Sequence, residues 1–187
     1  MHNHITADVL QTALTWVKQS PTDEGLLEMI VARPAFDERQ VLMVGELHPE
    51  TGLIGDNWQV RGSKRTEDGT SHPEMQITLM NARAIQTLTQ NRERWPLAGD
   101  QLFVDLDLTP TNLPPGHRLE IGSAVLEITA IPHTGCQKFT DRFGHDAIRW
   151  VNSPEGRELR LRGIYAKVIQ PGKIQPGDAI IVRRPVL

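Results

Sequence analysis

The stretch Arg118-Leu119-Glu120-Ile121-Gly122-Ser123-Ala124-Val125-Leu126-Glu127-Ile128-Thr129-Ala130 decides the fold class. It reads as strand, and Pro132 breaks it. Other short runs of strand character are Leu26–Arg33, Gln40–Leu47, Met75–Met80, Gln101–Asp105, Glu158–Gln170 and Asp178–Arg183. Proline and glycine punctuate them, as in Pro114-Pro115-Gly116, Pro171-Gly172 and Pro176-Gly177. Many short strands with such turns specify a β-rich barrel. Two segments take helical spacing instead. Val9, Leu10, Ala13, Leu14 and Val17 form one apolar stripe, with Thr6 as N-cap and Ser20-Pro21 as the stop. Asn81–Gln90 forms another through Ala84, Ile85 and Leu88, with Asn81 as N-cap. The expectation is a β-rich α+β chain, a barrel with a few peripheral helices. Residues 1–24 read as an N-terminal helical extension and 25–187 as the barrel domain.

A chain of 187 residues suits one domain and can bury a core without disulfide or metal staples. Its 39% hydrophobic and 23% charged residues exclude disorder. No run approaches the ~20 apolar residues of a membrane span, and the start has no signal-peptide pattern. Cys136 is the only cysteine, so no intrachain disulfide forms, which fits a cytoplasmic setting. Residues 1–135 hold 10 basic and 18 acidic side chains, a net of −8, whereas 136–187 hold 10 and 5, a net of +5. That balance, with 5% aromatics, argues against a nucleic-acid partner. A local basic region can still hold a small anion.

The chemistry concentrates in His133-Thr134-Gly135-Cys136-Gln137-Lys138-Phe139, a loop just beyond a strand end. Gly135 would let the backbone approach a ligand. His133, Lys138 and Arg142 lie near the thiol in sequence, and a cation beside a thiol favours its thiolate, the form that ligates a soft metal or carries sulfur. Arg61-Gly62-Ser63-Lys64-Arg65-Thr66 packs three cations and two hydroxyls into a loop that could bind phosphate. The strand-to-helix junction at Asn81–Arg83 offers free N–H groups to an anion. These groups and the C-terminal cations Lys138, Arg142 and Arg162 are expected to converge around Cys136. His133-x-x-Cys136 lacks the further ligands of a closed zinc site, so none is expected. No Walker loop, Rossmann fingerprint or nucleophile elbow is present. Trp58, Trp95 and Trp150 read as core or loop support.

Several pieces fall in an order that resembles the MOSC domain, the C-terminal module of molybdenum-cofactor sulfurases, which also occurs as stand-alone bacterial proteins. They are Gly52-Leu53-Ile54-Gly55-Asp56, His72, the strand and helix of Met75–Gln90, Arg118–Thr129, Cys136, Arg162-Gly163-Ile164-Tyr165-Ala166-Lys167-Val168 and Gly177-Asp178. The resemblance spans roughly 25–185. Stand-alone members often read Phe-Gly-Glu-Asn-Leu in the middle strand, where this chain has Leu102-Phe103-Val104-Asp105-Leu106, and often have Pro where it has Gly135. The resemblance implies a MOSC-type β-barrel and a Cys136 that ligates molybdenum or holds sulfur. It implies molybdenum cofactor (molybdopterin), and the family is also associated with pyridoxal phosphate. By that match Cys136 is the metal ligand and catalytic thiol, and Asn81–Arg83 lies where relatives anchor the cofactor. Together with the charge pattern, the candidate residues around the cofactor are Arg61, Ser63, Lys64, Arg65, His72, Asn81, Arg83, His133, Lys138, Arg142 and Arg162. Two functions follow. One is an oxidoreductase that reduces N-hydroxylated small molecules, with electrons from a separate donor protein. The other is a carrier of persulfide sulfur, supplied by a cysteine desulfurase, or of molybdenum cofactor, without turnover.

Overall fold

The computed structural model describes residues 5–185. Its elements are α1 (Ala7–Val17), β1 (Glu24–Ala32), β2 (Gln40–Leu42), β3 (Gly45–His48), β4 (Gly52–Leu53), α2 (Trp58–Arg61), β5 (Ile77–Asn81), α3 (Ala82–Thr89), β6 (Leu102–Asp105), β7 (Arg118–Ile121), β8 (Ala124–Ile128), α4 (Gln137–Phe143), α5 (His145–Asn152), α6 (Pro154–Glu158), β9 (Ile164–Gln170), β10 (Gly172–Ile174) and β11 (Ala179–Arg183). Short 3₁₀ helices occupy Pro73–Met75 and Arg92–Ala98.

Seven strands close a mixed barrel in the order β1-β6-β5-β9-β8-β7-β11, and β11 returns to pair with β1. All neighbours run antiparallel except β5 and β6. A parallel pair needs a crossover, and α3 with the 3₁₀ helix Arg92–Ala98 supplies it. The strand β2 extends β1 at an edge, and β10, β3 and β4 form a small side sheet. Among the described residues, no helix is long and apolar enough to cross a membrane.

Two apolar clusters hold the molecule together. Leu27, Ile30, Ile77, Leu79, Leu102, Val104 and Leu126 fill the barrel. Their strand neighbours Met29, Val31, Met80 and Phe103 face outward into a second cluster with Leu10, Leu14, Ile85, Phe139 and Trp150 from the helices. The strands β5 and β6 are thus covered on both faces, which is why they read as near-continuous apolar runs.

The expected barrel is present, and its local differences have physical causes. Arg118–Ala130 is a hairpin rather than one strand, turned at Gly122 with φ of 54°. A side chain there would strike the Lys173 carbonyl. Gln40–Leu47 is split into β2 and β3 around exposed Met43 and Val44. The N-terminal part of Glu158–Gln170 belongs to α6 and a turn, not to β9. Helices α4 to α6 were not expected, because their segment is polar and broken by Gly144 and Pro154. The first helix ends earlier than Ser20-Pro21, at Val17, and Thr6 makes no side-chain capping bond.

Truncating a side chain in the barrel interior leaves a cavity. Leu102→Ala is expected to lower unfolding free energy by about 2–5 kcal/mol, measured by urea titration. Val41→Ala on the exposed edge should stay within about 0.5 kcal/mol of the parent.

Candidate functional site

The 3₁₀ helix Arg92–Ala98 ends in the turn Pro96-Leu97-Ala98-Gly99-Asp100. A helix end leaves carbonyls without intrahelical partners. Here each of four successive carbonyls accepts a hydrogen bond from a different arginine. Arg39 Nε donates to Pro96 O (3.2 Å), Arg142 Nη1 to Leu97 O (2.8 Å), Arg162 Nη2 to Ala98 O (3.1 Å) and Arg33 Nη1 to Gly99 O (3.1 Å). Gly99, with φ of 86°, turns the chain, and the fully buried Asp100 receives Arg162 Nη1 at 2.6 Å. Arg33 is held from the other side by Asp56, through Nε at 2.8 Å and Nη2 at 2.9 Å. Asp56 also accepts from the Trp58 amide at 2.9 Å and so fixes the start of α2.

His133 lies on this cluster. Its ring packs against Tyr165 at a tilt of 37° with centroids 4.5 Å apart, and Nδ1 is 3.7 Å from Asp100 Oδ1, too far for a hydrogen bond. Asp100 Oδ1, His133 Nδ1 and Arg162 Nε are all buried without a hydrogen-bond partner among the described residues. Burial holds His133 well below the usual imidazole range, and the charges of Arg162, Arg33 and Arg65 push the same way. The ring is therefore neutral near pH 7. Burial raises the Asp100 carboxyl against the opposing pull of Arg162. Tyr165 is raised by burial and by Asp100.

Cys136 is exposed and occupies the N-cap position of α4. The Phe139 ring, one turn on, covers the Arg162 guanidinium at 5.0 Å and ties this helix to the arginine cluster. The Gly135 amide donates to Asn152 Oδ1 at 3.2 Å. A side chain at Gly135 would collide with Ile148, so the close approach that needs this glycine is to α5 rather than to a ligand.

The sequence profile of the MOSC domain matches residues 66–181, well over half of the chain. This chain belongs to the MOSC domain family. Three crystal structures share the fold. YuaD protein from Bacillus subtilis has a TM-score of 0.66 at 16% identity, over 87% of this chain and 97% of that one. YiiM from Geobacillus stearothermophilus gives 0.59 at 14%, over 86% and 75%. YiiM from Escherichia coli gives 0.55 at 18%, over 86% and 71%. A search of curated proteins found no match. The MOSC family is associated with molybdenum cofactor.

In this MOSC chain the expected site residues divide. Arg162, His133 and Arg142 meet at the arginine-capped turn. Arg65 lies close enough for its charge to reach His133 and Tyr165, and Arg61 for its charge to feel Arg33 and Asp56. The same polar loop carries exposed Lys64, and Ser63 Oγ accepts from the Arg65 amide at 3.1 Å. His72 Nδ1 accepts from the Glu74 amide at 3.2 Å and caps the 3₁₀ helix Pro73–Met75. Lys138 does not face the thiol. It pairs with Asp37 at 3.3 Å and lies over the Phe36 ring, and Arg142 reaches the same Asp37 at 2.9 Å. Residues two and six beyond Cys136 on a helix point away from its face.

The expected convergence fails for Asn81 and Arg83. Asn81 is buried and fully bonded, with Oδ1 capping the Ala84 amide at 3.0 Å and Nδ2 donating to Ser20 Oγ and Leu106 O, both at 2.8 Å. Arg83 grips Asp105 at 2.7 and 3.0 Å beside Trp16 and Trp95, in a different groove. Packing of α1 over the junction covers what would have been an anion site.

Sequence reasoning missed Arg33, Arg39 and above all Asp100, and it read Asp56 as part of a family motif without its pairing to Arg33. The signal for Asp100 was present. Gly99-Asp100-Gln101-Leu102 has the glycine–acid–amide–leucine order of Gly-Glu-Asn-Leu, four residues before Phe103-Val104-Asp105-Leu106.

Neutral, buried His133 links folding to pH. Below about pH 6.5 the unfolded chain takes up a proton at this residue that the folded chain excludes, so stability falls as pH falls. One such group steepens the slope by up to about 1.4 kcal/mol per pH unit. Urea titrations between about pH 6.5 and 5 should show the parent losing more stability than His133→Gln.

Proposed function

We propose that this MOSC protein binds molybdenum cofactor with Cys136 as metal ligand and reduces N-hydroxylated compounds. The observation that carries the reading is an exposed thiol on a helix anchored to a wall of arginines. Among the described residues, no group of three or more His, Cys, Asp or Glu side chains could hold a metal ion alone. A metal at Cys136 therefore has to bring its other ligands, and a single soft thiolate completes such a set. The unpartnered Asp100 Oδ1, His133 Nδ1 and Arg162 Nε beneath this surface leave polar capacity for an incoming group. The donor set fits the cofactor in both respects.

The reaction is R–NH–OH + 2 e⁻ + 2 H⁺ → R–NH₂ + H₂O, in which the N–O bond breaks and oxygen leaves as water. When bound, the cofactor's molybdenum supplies the two electrons. Cys136 would hold and orient the metal, and burial together with the charges of Arg162, Arg33 and Arg65 keeps the neighbouring His133 neutral. The electrons come from a separate donor protein. Exposure of Cys136 also suits a persulfide carrier charged by a desulfurase, which would need no metal.

Metal content separates the two readings. Chain purified from cells that make the cofactor is expected to contain molybdenum and to reduce an N-hydroxylated base with a reductant. Cys136→Ser should lose about tenfold or more of the metal, with unfolding free energy within about 0.5 kcal/mol of the parent because the residue is exposed. Full metal retention in Cys136→Ser contradicts the proposed ligand.

A further inference from the structure

A groove of about 320 Å³ lies where α1, α3 and the 3₁₀ helix Arg92–Ala98 meet β1 and β6. It shares no lining residue with the cavity at His133, Arg157 and Arg162. Its charges cancel in pairs. Arg83 holds Asp105 through two bonds, at 2.7 and 3.0 Å, and Arg92 Nη1 holds Glu28 Oε2 at 2.8 Å. The same guanidinium groups lie over indoles. Arg83 is 5.8 Å from the ring centre of Trp16, and Arg92 is 4.6 Å from that of Trp95. Arg83 Nη1 also donates to Trp16 O at 3.1 Å. These side chains are ordered by each other, so a ligand would not have to bear the cost of ordering them.

Trp16 is 44% exposed, whereas the other three tryptophans are buried. It stands off the stripe of Leu10, Leu14 and Val17 that packs α1 on the barrel, so core packing does not account for it. Beside it, Gln86 Oε1 accepts from Trp95 Nε1 at 3.2 Å. An indole N–H only donates, which fixes the amide's orientation and leaves Gln86 Nε2 as a donor. Among the described residues, that Nε2 has no acceptor and Glu28 Oε1 has no donor. The groove therefore combines an open aromatic face, one spare donor and one spare acceptor on walls without net charge.

We infer that this groove binds a neutral, planar aromatic amide. The ring stacks against Trp16, the amide N–H groups meet the Glu28 carboxylate, and the amide carbonyl accepts from Gln86 Nε2. An anion would be opposed by Glu28 and Asp105, and a cation by Arg83 and Arg92, so a charge of either sign is disfavoured. The inference rests neither on Cys136 nor on molybdenum.

Nitrogen–proton NMR spectra of the ¹⁵N-labelled full chain, titrated with benzamide, test it. The Trp16 indole signal, assigned by its loss in Trp16→Phe, is expected to shift saturably with a Kd of about 1 mM or tighter. Read from the Trp95 indole signal, Trp16→Ala should weaken binding by about tenfold or more, because the stacking face is gone. Gln86→Glu keeps an acceptor for Trp95 but removes the donor, and should weaken binding by about fivefold or more. Matching melting curves verify that both variants keep the fold. Arg157→Ala, in the cavity at His133, should change the affinity by less than about twofold. Benzoate and benzamidinium should each bind about fivefold or more weakly than benzamide. No saturable shift, or parent affinity in Trp16→Ala, overturns the site. A loss of binding in Arg157→Ala would place the amide in the other cavity and overturn it too. Binding of either ion as tight as that of benzamide overturns the neutral-amide assignment.

Discussion

The buried contact between Asp100 and Arg162 is the constraint around which the site is arranged. A carboxyl with no exposed surface costs folding free energy unless a cation meets it, and Arg162 does so at 2.6 Å. The same guanidinium reaches Ala98 O and lies under the Phe139 ring. One side chain thus joins the turn before β6, the entry to β9 and the first turn of α4. Arg33, Arg39 and Arg142 complete the turn by occupying its remaining carbonyls.

The barrel explains how these residues come together. The parallel pairing of β5 and β6 requires a crossover, and the crossover ends in the arginine-capped turn. Arg33 leaves the end of β1, the antiparallel neighbour of β6. His133 leaves β8, and Arg162 enters β9, which pair with each other. Groups far apart in sequence therefore meet because sheet neighbours deliver them. Cys136 is presented on the outside of this cluster, held by Phe139 beneath and by the Gly135 contact with α5.

Much of this was legible in the sequence, at the level where local pattern decides structure. The barrel followed from short apolar runs cut by proline and glycine, and the Pro132 break after the strand placed Cys136 on its loop. Asn81 was readable as an N-cap because that role is local. Its burial under α1 was not, since nothing near residue 81 announces Ser20 as its partner. Lys138 and Arg142 were read as neighbours of the thiol from spacing alone, but helical geometry and Asp37 turn them elsewhere. Arg33 and Arg39 look like scattered surface charges in sequence, whereas Arg162 was legible as a site residue but its pairing with Asp100 was not. Only the closed barrel brings them to consecutive carbonyls of one turn.

The most direct test of this account is a double-mutant cycle on unfolding free energy with Asp100→Ala, Arg162→Met and the pair. Each single change should cost about 3–5 kcal/mol, because it strands a buried charge. The double variant should cost less than the sum by about 2 kcal/mol or more, because it strands neither. Additive losses within about 0.5 kcal/mol would mean the two residues act independently, and the site would then have to be organised by something else.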